Sequence, residues 1–363
     1  MFKELKHFTV RMVAGANVAS IVIMLLVGFS DWINPANHPV LSDMGLLFPV
    51  FLFMNIGFLF FWLIFKPRYA LLSIAGFIVC YVPVRKYTPF NVNGEIPEDA
   101  IKVLSYNVWG YGGNEVEDAN EINPIITYLL EQDADIVCLQ EAVPYDRNKR
   151  NQVDSILRRV YPYYTLTMHG GNGIAVLSKC PILSEERIPY ESQSNFSMAY
   201  RLKIGKKKVI LINNHLQTTG LSIEDRQEFK QIIKGKMKGG KAEQISKTLA
   251  AKLAEATRKR APQAEAVAHF IRQHKGESII LCGDFNDGPI SYAHHTLARR
   301  LTDCYEEAGN GPGISYHRNG FYVRIDNIMC SDDWLPCDCK VDNKIADSDH
   351  YPIICRLKSA RNL

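Results

Sequence analysis

Charge is scarce in the first hundred residues, which hold 7 Lys/Arg and 6 Asp/Glu of the 42 and 38 in the 363-residue chain. No charged residue lies between Met12 and Ser30, between Met44 and Phe65, or between Tyr69 and Val84. Such gaps exclude an ordinary soluble domain over this part of the chain. At about 1.5 Å per residue the second gap makes roughly 33 Å of helix, enough to cross a hydrocarbon core of about 30 Å. The third makes only roughly 24 Å and contains Pro83. It crosses with local thinning and snorkelling of Arg85 and Lys86, or else re-enters; crossing is the reading adopted. Three spans near 12–30, 44–65 and 69–84 therefore make a membrane segment over 1–88.

Other absences narrow the remainder. No clear small-x-small cleavage site follows the first apolar run, which weakens the competing reading of a secretory signal behind Lys3, Lys6 and Arg11. No Cys-x-x-Cys pair occurs, so no structural zinc site is expected. Eight of the nine cysteines follow residue 100, a number compatible with either redox compartment. Cys138, Cys282, Cys330 and Cys355 sit in or beside apolar runs and read as buried free thiols. Low-complexity and disordered classes are excluded by 47% hydrophobic residues and a net charge of only +4.

What is present has a direction. Lys3, Lys6 and Arg11 precede the first span, and Lys66 and Arg68 precede the third, while no basic residue lies between Asp31 and Asp43. The N-terminus is then expected to be cytoplasmic, and three spans put the rest of the chain across the membrane, which is the periplasm if the cell is a Gram-negative bacterium, with the spans in its inner membrane. A linker over 89–100, with Pro89, Asn91, Asn93, Gly94 and Pro97, separates the membrane segment from a domain over 101–363.

Short apolar runs recur in that domain: Ile101–Val108, Ile136–Leu139, Gly173–Leu177, Met198–Ile204, Val209–Asn213, Ser278–Cys282, Arg324–Met329 and Tyr351–Leu357. These predict buried strands, with helical patterns between them at Asn123–Gln132 and Asp154–Val160, and so a layered α/β enzyme. Residues 201–260 carry 16 Lys/Arg against 5 Asp/Glu. Ile245, Leu249 and Leu253 predict an amphipathic helix there, interrupted at Pro262 and resuming through Val267, Phe270 and Ile271. The basic segment reads equally as a solvated face or as a patch for anionic substrate or lipid headgroups.

The strand ends carry polar side chains that an apolar core would not select. Asn107, Glu141, His215, Asp284 with Asn286, Asp326, and the pair Asp349–His350 each fall where a predicted strand meets a loop. Singly, each is an ordinary turn residue. Jointly they predict six strands converging on one rim, with Asn107, Glu141 and Asp349 as hard ligands for Mg2+ or Mn2+ and two imidazoles for phosphate charge.

These blocks resemble the endonuclease/exonuclease/phosphatase superfamily, whose members include deoxyribonucleases, abasic-site endonucleases, neutral sphingomyelinases and inositol-polyphosphate 5-phosphatases. The resemblance covers about residues 100–358 and rests on Ser105-Tyr106-Asn107-Val108-Trp109, Leu139-Gln140-Glu141, Asn214-His215-Leu216, Gly283-Asp284-Phe285-Asn286-Asp287, Arg324-Ile325-Asp326-Asn327-Ile328 and Ser348-Asp349-His350-Tyr351-Pro352, in the family's order. It implies a four-layered α/β sandwich of two packed mixed sheets flanked by helices. It further implies a metal-dependent phosphoric ester hydrolase: Glu141 holding the principal metal with Asn107 and Asp349, Asp284 deprotonating the water, and Asn286 placing phosphate and nucleophile. His350, oriented by Asp326, donates to the phosphoryl oxygen, and His215 contacts the phosphate from the other side.

The substrate stays open between nucleic acid and a phospholipid headgroup. Trp109 and Tyr111, in a glycine-rich loop running to Asn114, are placed either to stack on a base, to meet a headgroup, or to pack in the core. The lipid bilayer is the other expected partner, and no obligate protein partner is evident. The competing class is a non-catalytic membrane receptor or scaffold that binds an anionic phosphate ligand.

Overall fold

The structure, a computed structural model, describes residues 2–92, 94–112, 122–144, 147–318 and 320–360. Gly113 and Asn114 of the glycine-rich loop lie outside the described residues. Among the described residues, twelve strands form two six-stranded sheets. The first has the order β11(Trp334–Val341), β12(Ile353–Ser359), β1(Ile101–Asn107), β2(Ile136–Gln140), β4(Asn172–Ser178), β3(Tyr163–His169). The second runs β5(Ile182–Ile188), β6(Phe196–Ile204), β7(Lys207–His215), β8(Ser278–Asp284), β10(Asp326–Cys330), β9(Thr302–Asp303). Among the described residues, only β1–β2 and β7–β8 pair in parallel.

Three apolar layers hold this together. The sheets pack face to face through residues such as Val103, Ile136, Val176, Leu211, Ile280 and Ile353. Outside the first sheet, Leu104, Val137 and Leu177 meet the helix Pro124–Gln132 through Ile125 and Leu129. Outside the second, Ile212 and Leu281 meet Ala264, Val267 and Ile271 of the helix Gly240–Gln273. The result is the helix–sheet–sheet–helix sandwich expected.

The eight predicted apolar runs match the eight inner strands. The four strands the pattern missed, β3, β5, β9 and β11, are the sheet edges. β5 shows why: Leu183 to Arg187 are exposed, as charged edge strands commonly are.

One expectation is corrected. The helix Gly240–Gln273 runs unbroken through Pro262. The ring removes the hydrogen bond to the Arg258 carbonyl, but both residues face solvent, where water substitutes for it. The opposite face, buried from Ala261 to Ile271, favours continuity.

The N-terminal helices form a bundle of their own. Glu4–Trp32 and Pro39–Phe65 are each long and apolar enough to cross a membrane; Pro67–Val79 and Tyr81–Tyr87 pass only as a pair, bent by 71°. A buried polar network joins the three: Asn17 donates to Asn55 at 3.1 Å, and its oxygen accepts from Trp62 at 3.0 Å and Ser73 at 3.0 Å. Such bonds add directionality where apolar contact alone has none.

The bundle is docked on the sandwich. Ile290 packs among Met24, Val27, Phe48 and Leu52, and Gly45 approaches so closely that a Cβ there would lie 2.1 Å from the Ile290 carbonyl oxygen. Asp31 pairs with Lys86 at 2.6 Å and with His295 at 3.4 Å; Thr257 donates to Asp43 at 2.7 Å. The Arg324 guanidinium donates to the Lys86 carbonyl, and Asn91 is tied to Glu306, Gly309 and Asn310.

Candidate active site

The strand pattern determines which side chains meet. β1, β2, β7 and β8 all end at the same rim, where the antiparallel β10 and β12 begin, so polar residues at those ends converge. Asn107 ends β1, Glu141 follows β2, His215 and Asp284 end the paired β7 and β8, Asp326 opens β10, and Asp349–His350 precede β12. All are brought to one rim, as is Asn286, two residues beyond Asp284.

Asn107 stands at the centre. Its amide nitrogen donates to Glu141 Oε1 at 3.1 Å and to Asp284 Oδ2 at 3.0 Å, while its oxygen accepts from the Trp109 backbone N–H at 3.1 Å. Ligation through that oxygen would require the amide to turn over. In the arrangement seen, Asn107 orders two carboxylates. Asp284 Oδ1 accepts from the Asn286 N–H at 2.7 Å, and the Asn286 amide nitrogen donates to the Leu216 carbonyl at 3.0 Å. Glu141 and Asn286 both hold a left-handed backbone, φ 53° and 52°, uncommon for side-chain-bearing residues and characteristic of functional loops.

The two imidazoles differ in charge. His350 Nδ1 lies 2.7 Å from Asp326 Oδ2, and its Nε2 3.7 Å from Asp284 Oδ2. Burial alone would lower the His350 pKa, but the Asp326 and Asp284 carboxylates outweigh it and push it up to about 10. His350 is thus a cation at neutral pH. For His215 burial prevails over Asp284, and its pKa falls below the ordinary value. The Asn172 amide, 2.9 Å from His215 Nδ1, favours the tautomer whose proton sits on Nε2. That nitrogen is buried, 3.6 Å from Glu141 and 3.8 Å from Asp284, with no hydrogen-bond partner among the described residues. Asp326 Oδ1 is likewise buried and unpartnered.

Burial raises Asp284 to about 6 against the pull of His350, and raises Glu141 despite its bond from Asn107. These oxygen donors fit a hard divalent cation. Asp284, Asp326 and His350 present ligand-type atoms within 4.8 Å of one another, and Glu141 leaves 31% of its side chain open to the cleft. Asp349 is half-buried, and its charge adds to the rise at Glu141 and His350.

Other parts were not singled out from sequence. Gln140 donates to Asn213 at 2.7 Å, and Asn213 donates to the Leu139 and Ala175 carbonyls, tying the two sheets together beneath the rim. Asn172 carried the same signal as Asp326, a polar residue opening an apolar run. Tyr111 is buried in the core rather than placed for stacking, and Arg318 lies over the Trp109 ring at 5.5 Å.

Arg260 is the most consequential omission. It falls within the apolar stripe Leu249, Leu253, Ala256, Ala264, Val267 of its helix and is 2% exposed. It donates to the Gln217 carbonyl at 2.9 Å and pairs with Asp287 at 2.6 Å, while Gln263 accepts from the Gln217 N–H at 2.7 Å. One helix face thus clamps the loops that follow His215 and Asn286. Arg260→Met strands the buried Asp287 carboxylate and is expected to cost about 3–5 kcal/mol of stability. Thermal unfolding of Arg260→Met and of Arg260→Met with Asp287→Leu checks this: the double variant recovers part of the loss, and an unchanged melting temperature in the single variant contradicts the clamp.

Two sheets face to face between helices, with acidic and imidazole groups on one rim, make a metal-dependent phosphoric ester hydrolase. A model of the Endonuclease/Exonuclease/phosphatase family matches residues 104–350, more than half of the chain, and the protein belongs to that family. A model of a domain of unknown function matches residues 10–87. No curated protein sequence matches significantly. Among solved structures, the human Nocturnin catalytic domain with bound sulfate anion is similar at TM-score 0.52 and 16% identity, over 73% of this chain and 96% of that one. D. rerio TDP2 complexed with single strand DNA product is similar at TM-score 0.51 and 17% identity, over 72% of this chain and 100% of that one. At these identities the likeness concerns the fold.

Proposed function

We propose that this chain is a membrane-anchored phosphodiesterase in which Asp284 deprotonates the attacking water and His350 stabilises the charge that develops on phosphorus-bound oxygen. The observation that carries this reading is the convergence of two buried imidazoles on Asp284 Oδ2, His215 Nε2 at 3.8 Å and His350 Nε2 at 3.7 Å, with His350 Nδ1 held by Asp326 at 2.7 Å. A phosphodiester is an anion that repels its nucleophile. A cationic His350 offsets that charge, and the lone Nε2–H of His215 donates to a phosphoryl oxygen without adding a second buried cation.

Glu141 and Asp349 are the residues assigned to a divalent cation, with Asn107 holding Glu141 in place. Bound there, Mg2+ or Mn2+ supplies positive charge against the phosphoryl oxygens. Asp284 Oδ2, raised by burial, takes one proton as the water oxygen forms its bond to phosphorus. One P–O ester bond breaks, the departing alkoxide takes a proton from solvent to leave as an alcohol, and Asp284 returns its proton to solvent. Asp326 fixes the His350 tautomer and sustains its charge.

The test is hydrolysis of bis(p-nitrophenyl) phosphate by the full chain in detergent. Turnover with Mg2+ or Mn2+, abolished by EDTA and restored by excess metal, is expected. Metal-independent or absent turnover removes the reading and favours a receptor that binds phosphate without cleaving it.

Membrane anchoring and the division into 1–88, 89–100 and 101–363 are part of the same proposal. Lys66 and Arg68 link the second helix to the next at the end remote from the docked loops around Asp31, Gly45 and Lys86, which supports a sandwich on the side opposite the basic ends. Protease added to intact spheroplasts should degrade the sandwich. Protection would mean that the bent pair Pro67–Tyr87 does not cross.

A further inference from the structure

A cavity of about 100 Å³ lies beside the rim, and the chemistry above does not use it. Its lining includes the apolar Leu46, Leu221, Leu253, Phe321, Val323 and Ile325, together with Thr219, Arg226 and two mutually paired polar sets, Thr257 with Asp43 and Arg260 with Asp287; most of the surface it exposes is apolar. One part of its lining is Asn286 of the active site; another is Asp43 and Leu46, immediately before the second apolar helix. Tyr316 also lines it and meets the His350 ring edge-on at 5.1 Å. The cavity therefore lies between a residue of the rim and the loop that leads into the second apolar helix.

The surroundings point the same way. The loop after Asn286 carries Ile290 into the bundle core, and Arg324, two residues before Asp326, donates to the Lys86 carbonyl. The loops that position catalytic side chains are thus also the loops the N-terminal helices touch, so the rim and the membrane-facing edge coincide. Beside the cavity, the helix Ile223–Ile233 supplies Arg226 to its lining and stacks Phe229 on Phe321 at 4.5 Å. It leaves Ile223 63% and Ile233 62% exposed beside the cavity.

We infer that this cavity takes hydrocarbon of a membrane-resident phosphate diester, so that the substrate class is a phospholipid rather than a nucleic acid. The inference rests on the phosphodiesterase reading. A nucleotide offers no hydrocarbon chain for an apolar slot near its scissile phosphate, whereas a phospholipid carries acyl chains on the glycerol esterified to its phosphate. The products are the phosphomonoester and alcohol of the lipid, one water being consumed.

The experiment compares, on the full chain in detergent with Mg2+, diacylphosphatidylcholines from butanoyl to octanoyl, single-stranded DNA and bis(p-nitrophenyl) phosphate. The expected kcat/KM rises with chain length, by up to about fourfold per methylene until the cavity is filled. Filling it with Leu253→Trp, or separately with Val323→Phe, is expected to lower the ratio of octanoyl-lipid to bis(p-nitrophenyl) phosphate hydrolysis about tenfold. The chain-length series on the unaltered protein stands even if a variant fails to fold. Rates independent of chain length, or a preference for DNA, overturn the lipid assignment and leave the phosphodiesterase reading intact. Failure to cleave every diester overturns both.

Discussion

Replacing His350 with alanine is expected to lower kcat on a phosphodiester by about a thousandfold, with a smaller effect on KM, because its charge matters most when negative charge peaks on the phosphoryl oxygens. The pH profile separates this role from a structural one. His350 acts protonated, so activity is present below its pKa and is lost as pH rises through about 10. Asp284 acts deprotonated, so activity is lost as pH falls through about 6. Asp326→Asn removes the largest of the contributions that raise His350 and should move the alkaline limb to lower pH; because the same carboxylate also raises Asp284, the acid limb moves to lower pH as well. A profile unmoved on the alkaline side would show that the His350 charge plays no part.

Glu141→Gln is expected to weaken Mg2+ or Mn2+ binding by about ten- to a hundredfold and to shift the metal dependence of kcat/KM to higher concentration. Glutamine keeps the left-handed backbone at this position and an oxygen to accept from Asn107, so the change isolates the charge. Titration calorimetry gives affinity independently of turnover. Unchanged affinity would remove Glu141 from the ligands of the cation.

The eight apolar runs were legible because inner strands of a sandwich are buried on both faces and read as continuous hydrophobic sequence. β5 was not, since an edge strand has one side in water and its Ser184-Glu185-Glu186-Arg187 stretch looks like a loop. The rim residues were legible for a related reason: a polar side chain closing a buried run marks the point where the strand leaves the core. Arg260 was not, because on a basic helix one more arginine looks like solvent-facing charge. Only its place in the apolar stripe set it apart.

The amino-acid sequence alone determined which stretches are apolar enough for a bilayer, which runs form the inner strands, and which polar residues gather at their ends, since each follows from local composition and period. Tertiary structure decided the rest. Whether a histidine carries charge depends on the balance between burial and neighbouring carboxylates. That balance is opposite at His350 and His215 although both are buried. The same holds for the cavity between Asn286 and Leu46: its walls come from segments far apart in the chain, and only packing brings this largely apolar space to the edge of the acidic and imidazole rim.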